Sequence, residues 1–209
     1  MSVYSFHTLH HSTEGIYKEK GSKFLAFAYP VVSEAEIKQK IDHLKKEYFD
    51  ARHHCFAWML GPEKNHFRAF DDGEPNHSAG DPILGQIRSK GVTNVLIVVV
   101  RYFGGVKLGV GGLIGAYKAA AGDALSKAVI IEKEVTEEID LRFDYLITSD
   151  VMRCIKDFEL KILEQNFGET CHMLISVPLQ QKEQLLSKFG LMQVIGKAVE
   201  WKVKSATNA

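Results

Sequence analysis

Long apolar stretches are missing from this chain. No run of about 18 apolar residues occurs, so no transmembrane helix is expected. The opening residues, MSVYSFHTLHHSTEG, have no apolar signal core. Net charge is missing too: 26 basic side chains balance 26 acidic ones. Up to residue 131 there are 16 basic and 13 acidic residues, and after it 10 and 13. That excludes nucleic-acid binding driven by bulk charge, which runs on many phosphate contacts. A local basic patch stays possible. Cysteine is scarce: Cys55, Cys154 and Cys171 are odd in number, widely spaced and never in a Cys-X-X-Cys pair. A disulfide framework is excluded, and a reducing, cytoplasmic setting is expected. Three signatures are absent as well. There is no P-loop, no Rossmann Gly-X-Gly-X-X-Gly followed by an acid, and no His-Glu-X-X-His.

What is abundant is glycine, in one place. Between Val98 and Gly122 the chain reads VVVRYFGGVKLGVGGLIGAYKAAAG. Leu96–Val100 predicts a buried strand, Arg101–Gly112 a loop, and Leu113–Val129 a helix of small residues. Gly104, Gly105, Gly109, Gly111 and Gly112 are more glycines than a turn needs. They permit positive φ and close approach by another molecule or strand. A strand, a glycine loop and a helix N-terminus together present free N–H groups and a positive dipole end. Arg101 and Lys107 flank that loop. The pattern suits an anion or phosphate-backbone site, or a tight turn with close strand–helix packing. The small helix residues imply that the helix lies very close to the sheet.

At 209 residues the chain can hold one large or two small domains. Residues 1–21 are polar and His-rich, with Ile16 and Tyr17 as anchors and His7, His10 and His11 in a mobile tail. Ser22–Pro30 predicts a strand. Ser33 and Glu36 form a capping box for a helix carrying Ile37, Ile41, Leu44 and Tyr48 on its apolar face. Arg52–Leu60 and Asn65–Phe70 predict two strands. His53 and Cys55 share a face there, but two such residues are too few for a metal site, and none is expected. Gly80–Lys90 predicts a helix stopped by Gly91. Glu132 opens a charged hinge, EKEVTEE, which places a domain boundary at 131/132. Beyond it the pattern predicts strand 135–147, helix 149–159, strand 160–167, strand 170–177, helix 179–189 and strand 192–202. That βαββαβ order is a ferredoxin-like sandwich. The expected class is α+β, with domains 1–131 and 132–209.

The second unusual stretch is Asp71–Pro82, DDGEPNHSAGDP. Asp71, Asp72 and Glu74 crowd like charges into four positions, which need a cation, an arginine or N–H donors to compensate them. Arg101 is the obvious partner. Paired carboxylates can also serve acid/base chemistry or hold Mg²⁺. A solvated turn is the plainer alternative.

Taken together these residues resemble the YigZ/IMPACT family. The match runs through Arg52-His53-His54-Cys55, Asp71-Asp72-Gly73-Glu74-Pro75, Ala79-Gly80 and Pro82-Ile83-Leu84. It continues in Arg101-Tyr102-Phe103-Gly104-Gly105-Val106-Lys107-Leu108-Gly109, Gly111-Gly112-Leu113 and Ala116-Tyr117. The family pattern has Gly-Thr where this chain has His77-Ser78. Ser78 keeps a hydroxyl, while His77 adds a side chain. The resemblance implies a left-handed βαβ domain like domain IV of elongation factor G and a domain of a ribosomal small-subunit protein. The C-terminal part looks like that factor's next domain. Eukaryotic members regulate translation by binding a partner of a stress kinase, through a region that includes a further N-terminal domain. No such domain is seen here, so that role is not carried over.

Three functions follow as expectations. The first is a non-enzymatic protein that binds RNA or a ribonucleoprotein such as the ribosome, without a cofactor. Arg101, Lys107, Ser78 and the loop N–H groups would hold phosphates, and Tyr102 or Tyr117 would stack on a base. His53, Asp72, Gly73, Glu74, Pro75, Gly80 and Pro82 would shape the site. The second is an enzyme acting on a small or phosphorylated substrate with Asp71, Asp72 and Glu74. The third is a protein–protein module in translation regulation.

Overall fold

A computed structural model of the chain describes residues 3–204. They divide into two compact units, Ser5–Lys133 and a second running from Glu134 onward that includes Tyr4. The class is α+β. No helix among the described residues is long and apolar enough to cross a membrane.

In the first unit the chain runs β1 (Ser5–Leu9), β2 (Thr13–Glu19), β3 (Ser22–Pro30), α1 (Glu34–Glu47), β4 (His53–Leu60) and β5 (His66–Phe70). It continues through α2 (Gly80–Lys90), β6 (Val95–Tyr102), α3 (Gly109–Ser126) and β7 (Ile130–Glu134). The main sheet has the order β2-β3-β6-β4-β5. β6 pairs antiparallel with both β3 and β4, which makes it central. A strand covered on both faces needs apolar residues throughout, and VLIVVV supplies them. Val95, Ile97 and Val99 pack under α2 and α3, and Leu96, Val98 and Val100 under α1. α1 begins as its sequence predicts. The Glu36 N–H donates to Ser33 Oγ, and Glu36 Oε2 accepts from the Val32 N–H.

The second unit contains β8 (Thr136–Asp144), a 3-10 turn at Tyr145–Ile147, α4 (Thr148–Asp157), β9 (Lys161–Asn166), β10 (Thr170–Pro178), α5 (Lys182–Val194) and β11 (Val199–Lys204). Its sheet has the order β11-β8-β10-β9, antiparallel throughout. Ile139, Leu141 and Phe143 on β8 meet Val151 and Ile155 of α4 and Leu185 and Phe189 of α5.

Several expectations need correction. His7 is in a strand, not a tail: β1 pairs with β7, and the Thr93 N–H donates to the His7 carbonyl. Residues 13–19 form β2 because a two-residue turn at Lys20 and Gly21, both with positive φ, folds it onto β3. Ile16 is exposed rather than an anchor. EKEVTEE carries the end of β7 and the start of β8, and the two units divide within it at 133/134 rather than 131/132. The glycine loop is shorter than expected, since β6 extends to Tyr102 and α3 starts at Gly109. Three glycines in a first turn weaken it, and the packing of Leu113, Ala116 and Tyr117 against the core outweighs them. α3 also ends earlier, at Ser126. α5 and β11 begin later than their patterns suggest, because Pro178 ends β10 and a turn at 179–181 precedes the helix.

The helix does lie close to the sheet. A Cβ on Gly15 of β2 would fall 2.4 Å from the Ala124 backbone nitrogen of α3. Only small residues permit that approach.

Candidate anion-binding cleft

Asp71, Asp72 and Glu74 belong to three different hydrogen-bond sets. Asp71 follows β5 and caps α2: Oδ1 accepts from the Ala79 and Gly80 N–H groups at 3.0 and 2.8 Å, and Oδ2 from His77 at 2.9 Å. Asp72 has a positive φ of 44°. Its Oδ2 accepts the His54 N–H at 2.7 Å, and its carbonyl lies 2.9 Å from His53 Nδ1. Glu74 turns inward and is buried. Its Oε1 accepts from Arg101 Nη1 at 2.5 Å and from the Tyr117 hydroxyl at 2.8 Å. Each acid therefore serves a donor of the fold. Only Glu74 faces the glycine loop, so the three do not form the paired acid/base or Mg²⁺ group of the enzyme reading.

Arg101 is 6 % exposed. Its guanidinium lies over the rings of both Phe24 and Phe103, 5.5 and 5.7 Å from their centroids. Glu74 neutralises it, and its Nε has no hydrogen-bond partner. Tyr117 continues the buried chain to Cys55, whose Sγ lies 3.3 Å from the phenol and 2.9 Å from the Asp71 carbonyl oxygen. Burial raises the pKa of both the Tyr117 phenol and the Cys55 thiol well above their usual values. All three cysteines are buried. A thiol reagent at pH 8 is therefore expected to leave the native protein unlabelled and to modify three thiols in denaturant. Fast native labelling of Cys55 would contradict this geometry.

Above that buried chain opens a cleft of ≈ 400 Å³. Arg52, His53, Glu74 and Pro75 line it together with Arg101, Phe103, Lys107 and the start of α3 from Leu108 to Leu113. The N-terminus of α3 borders it. That terminus has no side-chain cap and no acid in its first turn. α1 and α2, by contrast, are capped by Ser33 and Asp71. The leading N–H groups of α3 have no partner within the helix, and its dipole is positive there. With exposed Arg52 and Lys107 beside them, the cleft is electropositive.

Of the residues expected to bind an anion, Arg101, Lys107 and Gly109 line this cleft. Gly105, exposed at φ 88°, and Gly111 and Gly112 in the first turn of α3 lie along the same loop. Gly104 does not, because it packs on the β2–β3 turn. Ser78 is fully buried and donates to the Pro75 carbonyl at 2.6 Å, closing the acidic loop. His77 takes φ 65°, a conformation that glycine adopts more easily. Tyr117 is 0 % exposed and cannot stack on a base. Tyr102 is on the opposite face of β6 from Arg101. Its hydroxyl donates to Asp50, and that bond raises its pKa to about 12. Gly73, Pro75 and Gly80 shape the acidic loop, and Pro82 is in the first turn of α2.

Sequence reasoning missed Arg52 and Phe103. The available signals were the position of Arg52 beside His53, which pairs in register with Arg101, and strand periodicity, which puts Phe103 on Arg101's face.

A family model described as the Impact N-terminal domain matches residues 20–125, which include every residue of this cleft. The chain is 30 % identical to the IMPACT family member YigZ of Escherichia coli over 171 residues, covering 81 % of this chain and 84 % of that protein. It is 29 % identical over 167 residues to the IMPACT family member YvyE of Bacillus subtilis, covering 80 % and 77 %. A crystal structure described as that of a hypothetical protein superposes with a TM-score of 0.75 at 26 % identity, covering 98 % of this chain and 99 % of that one. The buried Glu74–Arg101–Tyr117 cluster and the cleft above it thus sit within a matched domain, and the chain belongs to the IMPACT family.

Proposed function

We propose that this protein is a non-enzymatic binding protein whose cleft holds the phosphate backbone of RNA, alone or within a ribonucleoprotein such as the ribosome. The observation that carries the reading is the convergence of Arg52, Lys107 and the uncapped N-terminus of α3 on one cleft. Such a surface binds anions locally in a chain without net charge. The topology adds support. The order β11-β8-β10-β9 suits a ferredoxin-like sandwich. β3 and β4 run parallel on either side of β6 and are joined through α1, which suits the βαβ crossover, left-handed in our reading, of elongation factor G domain IV.

The test is a salt series with single-stranded RNA. The Arg52→Ala/Lys107→Ala variant is expected to bind more weakly, with its salt slope reduced by about 1.4, or roughly 0.7 per lost phosphate contact. Affinity and slope equal to those of the parent chain would refute the site.

A further inference from the structure

The cleft is more than a basic groove, because its walls are largely apolar. Phe103 lines it and is 52 % exposed. One face of the ring is engaged by the Arg101 guanidinium, itself backed by Phe24. A half-exposed aromatic ring held this way beside a cationic pocket is a stacking platform. A bare phosphate makes no use of it. An extended diester backbone makes no use of Leu108, Val110 and Leu113 either. The size of the cleft falls in the range of small-ligand sites.

We infer that the cleft takes one nucleotide unit, its phosphate at the N-terminus of α3 with Arg52 and Lys107 and its base against the ring of Phe103. This rests on the anion-binding reading above and adds the class of ligand. Phe103 is then the residue that separates a nucleotide from other phosphorylated molecules. His53 borders the same space, and its Nδ1 is held by the Asp72 carbonyl.

The full chain is titrated with AMP, inorganic phosphate, adenosine and a phosphoserine peptide, following the amide resonances of Gly109–Gly112. AMP is expected to bind at least tenfold more tightly than inorganic phosphate. Phe103→Ala is expected to erase that advantage and leave phosphate binding unchanged, while Phe103→Trp restores it. Equal affinity for AMP and phosphate overturns the inference, as does a phosphoserine peptide that matches AMP or an AMP advantage that survives Phe103→Ala. The two readings fail separately. RNA binding that is lost in Arg52→Ala/Lys107→Ala but indifferent to Phe103→Ala keeps the backbone reading and removes the nucleotide one. No binding of RNA, AMP or phosphate removes both. Denaturation curves of the Phe103 variants, whose side chain is half exposed, verify that each is folded.

Discussion

Truncating Glu74 to alanine is expected to destabilise the first unit by about 3–5 kcal/mol, the cost of leaving one member of a buried ion pair without its partner. The guanidinium of Arg101 is as enclosed as the carboxylate, with side-chain exposures of 7 % and 4 %. Removing Glu74 also leaves the Tyr117 hydroxyl without its acceptor, deep in the core. The measurement is urea denaturation followed by Trp58 fluorescence in a Trp201→Phe background, since Trp58 is buried in the first unit. Glu74→Gln keeps the volume and an acceptor oxygen, and is expected to lose less. The opposite ranking, or a loss below about 1 kcal/mol for Glu74→Ala, would mean that Arg101 is solvated and that the pair does not organise the cleft lining. The same variant separates structure from chemistry. If Glu74 were a catalytic acid, activity would fall with stability intact.

Gly104→Ala is expected to be nearly as damaging, at about 3 kcal/mol, the upper end of overpacking costs. A Cβ there would lie 1.9 Å from the Gly21 carbonyl carbon and 2.1 Å from the Ser22 nitrogen. Both are backbone atoms, so no rotamer change relieves the clash. The Gly104 N–H also donates to Ser22 Oγ at 3.1 Å, and that serine is buried. The β2–β3 turn would have to move, and with it the strand that packs on α3. Gly111→Ala is the contrast, because nothing lies within 4 Å of its added Cβ. It is expected to fold normally, and any loss of anion binding would then report on the cleft. Equal stability of the two variants in the same denaturation would show that the hairpin turn yields freely.

These two results divide the glycine loop by role. Gly104 is required by a neighbouring turn, and Gly105 and Gly109 by positive φ. The stretch that borders the cleft is the start of α3. The spacing of glycines alone carries no such distinction. Each φ and each close approach depends on what the rest of the chain brings alongside.

Local signals were sufficient where the physics is local. The Ser33/Glu36 capping box, the αL glycine at Gly91 and the two-faced apolar run of β6 follow from caps, turns and periodicity. The pairing of the acidic loop with Arg101 was also legible, because crowded carboxylates require a counter-charge. Tertiary structure decided which carboxylate does what: Asp71 caps a helix, Asp72 holds the start of β4, and only Glu74 meets the arginine. It also sent Tyr117 into the core, turned Tyr102 to the far face, and brought Arg52 and Phe103 to one cleft. Those outcomes depend on strand register and on contacts that reach across the chain, 27 positions for Glu74–Arg101, 43 for Glu74–Tyr117 and 52 for Asp50–Tyr102, which no local pattern encodes.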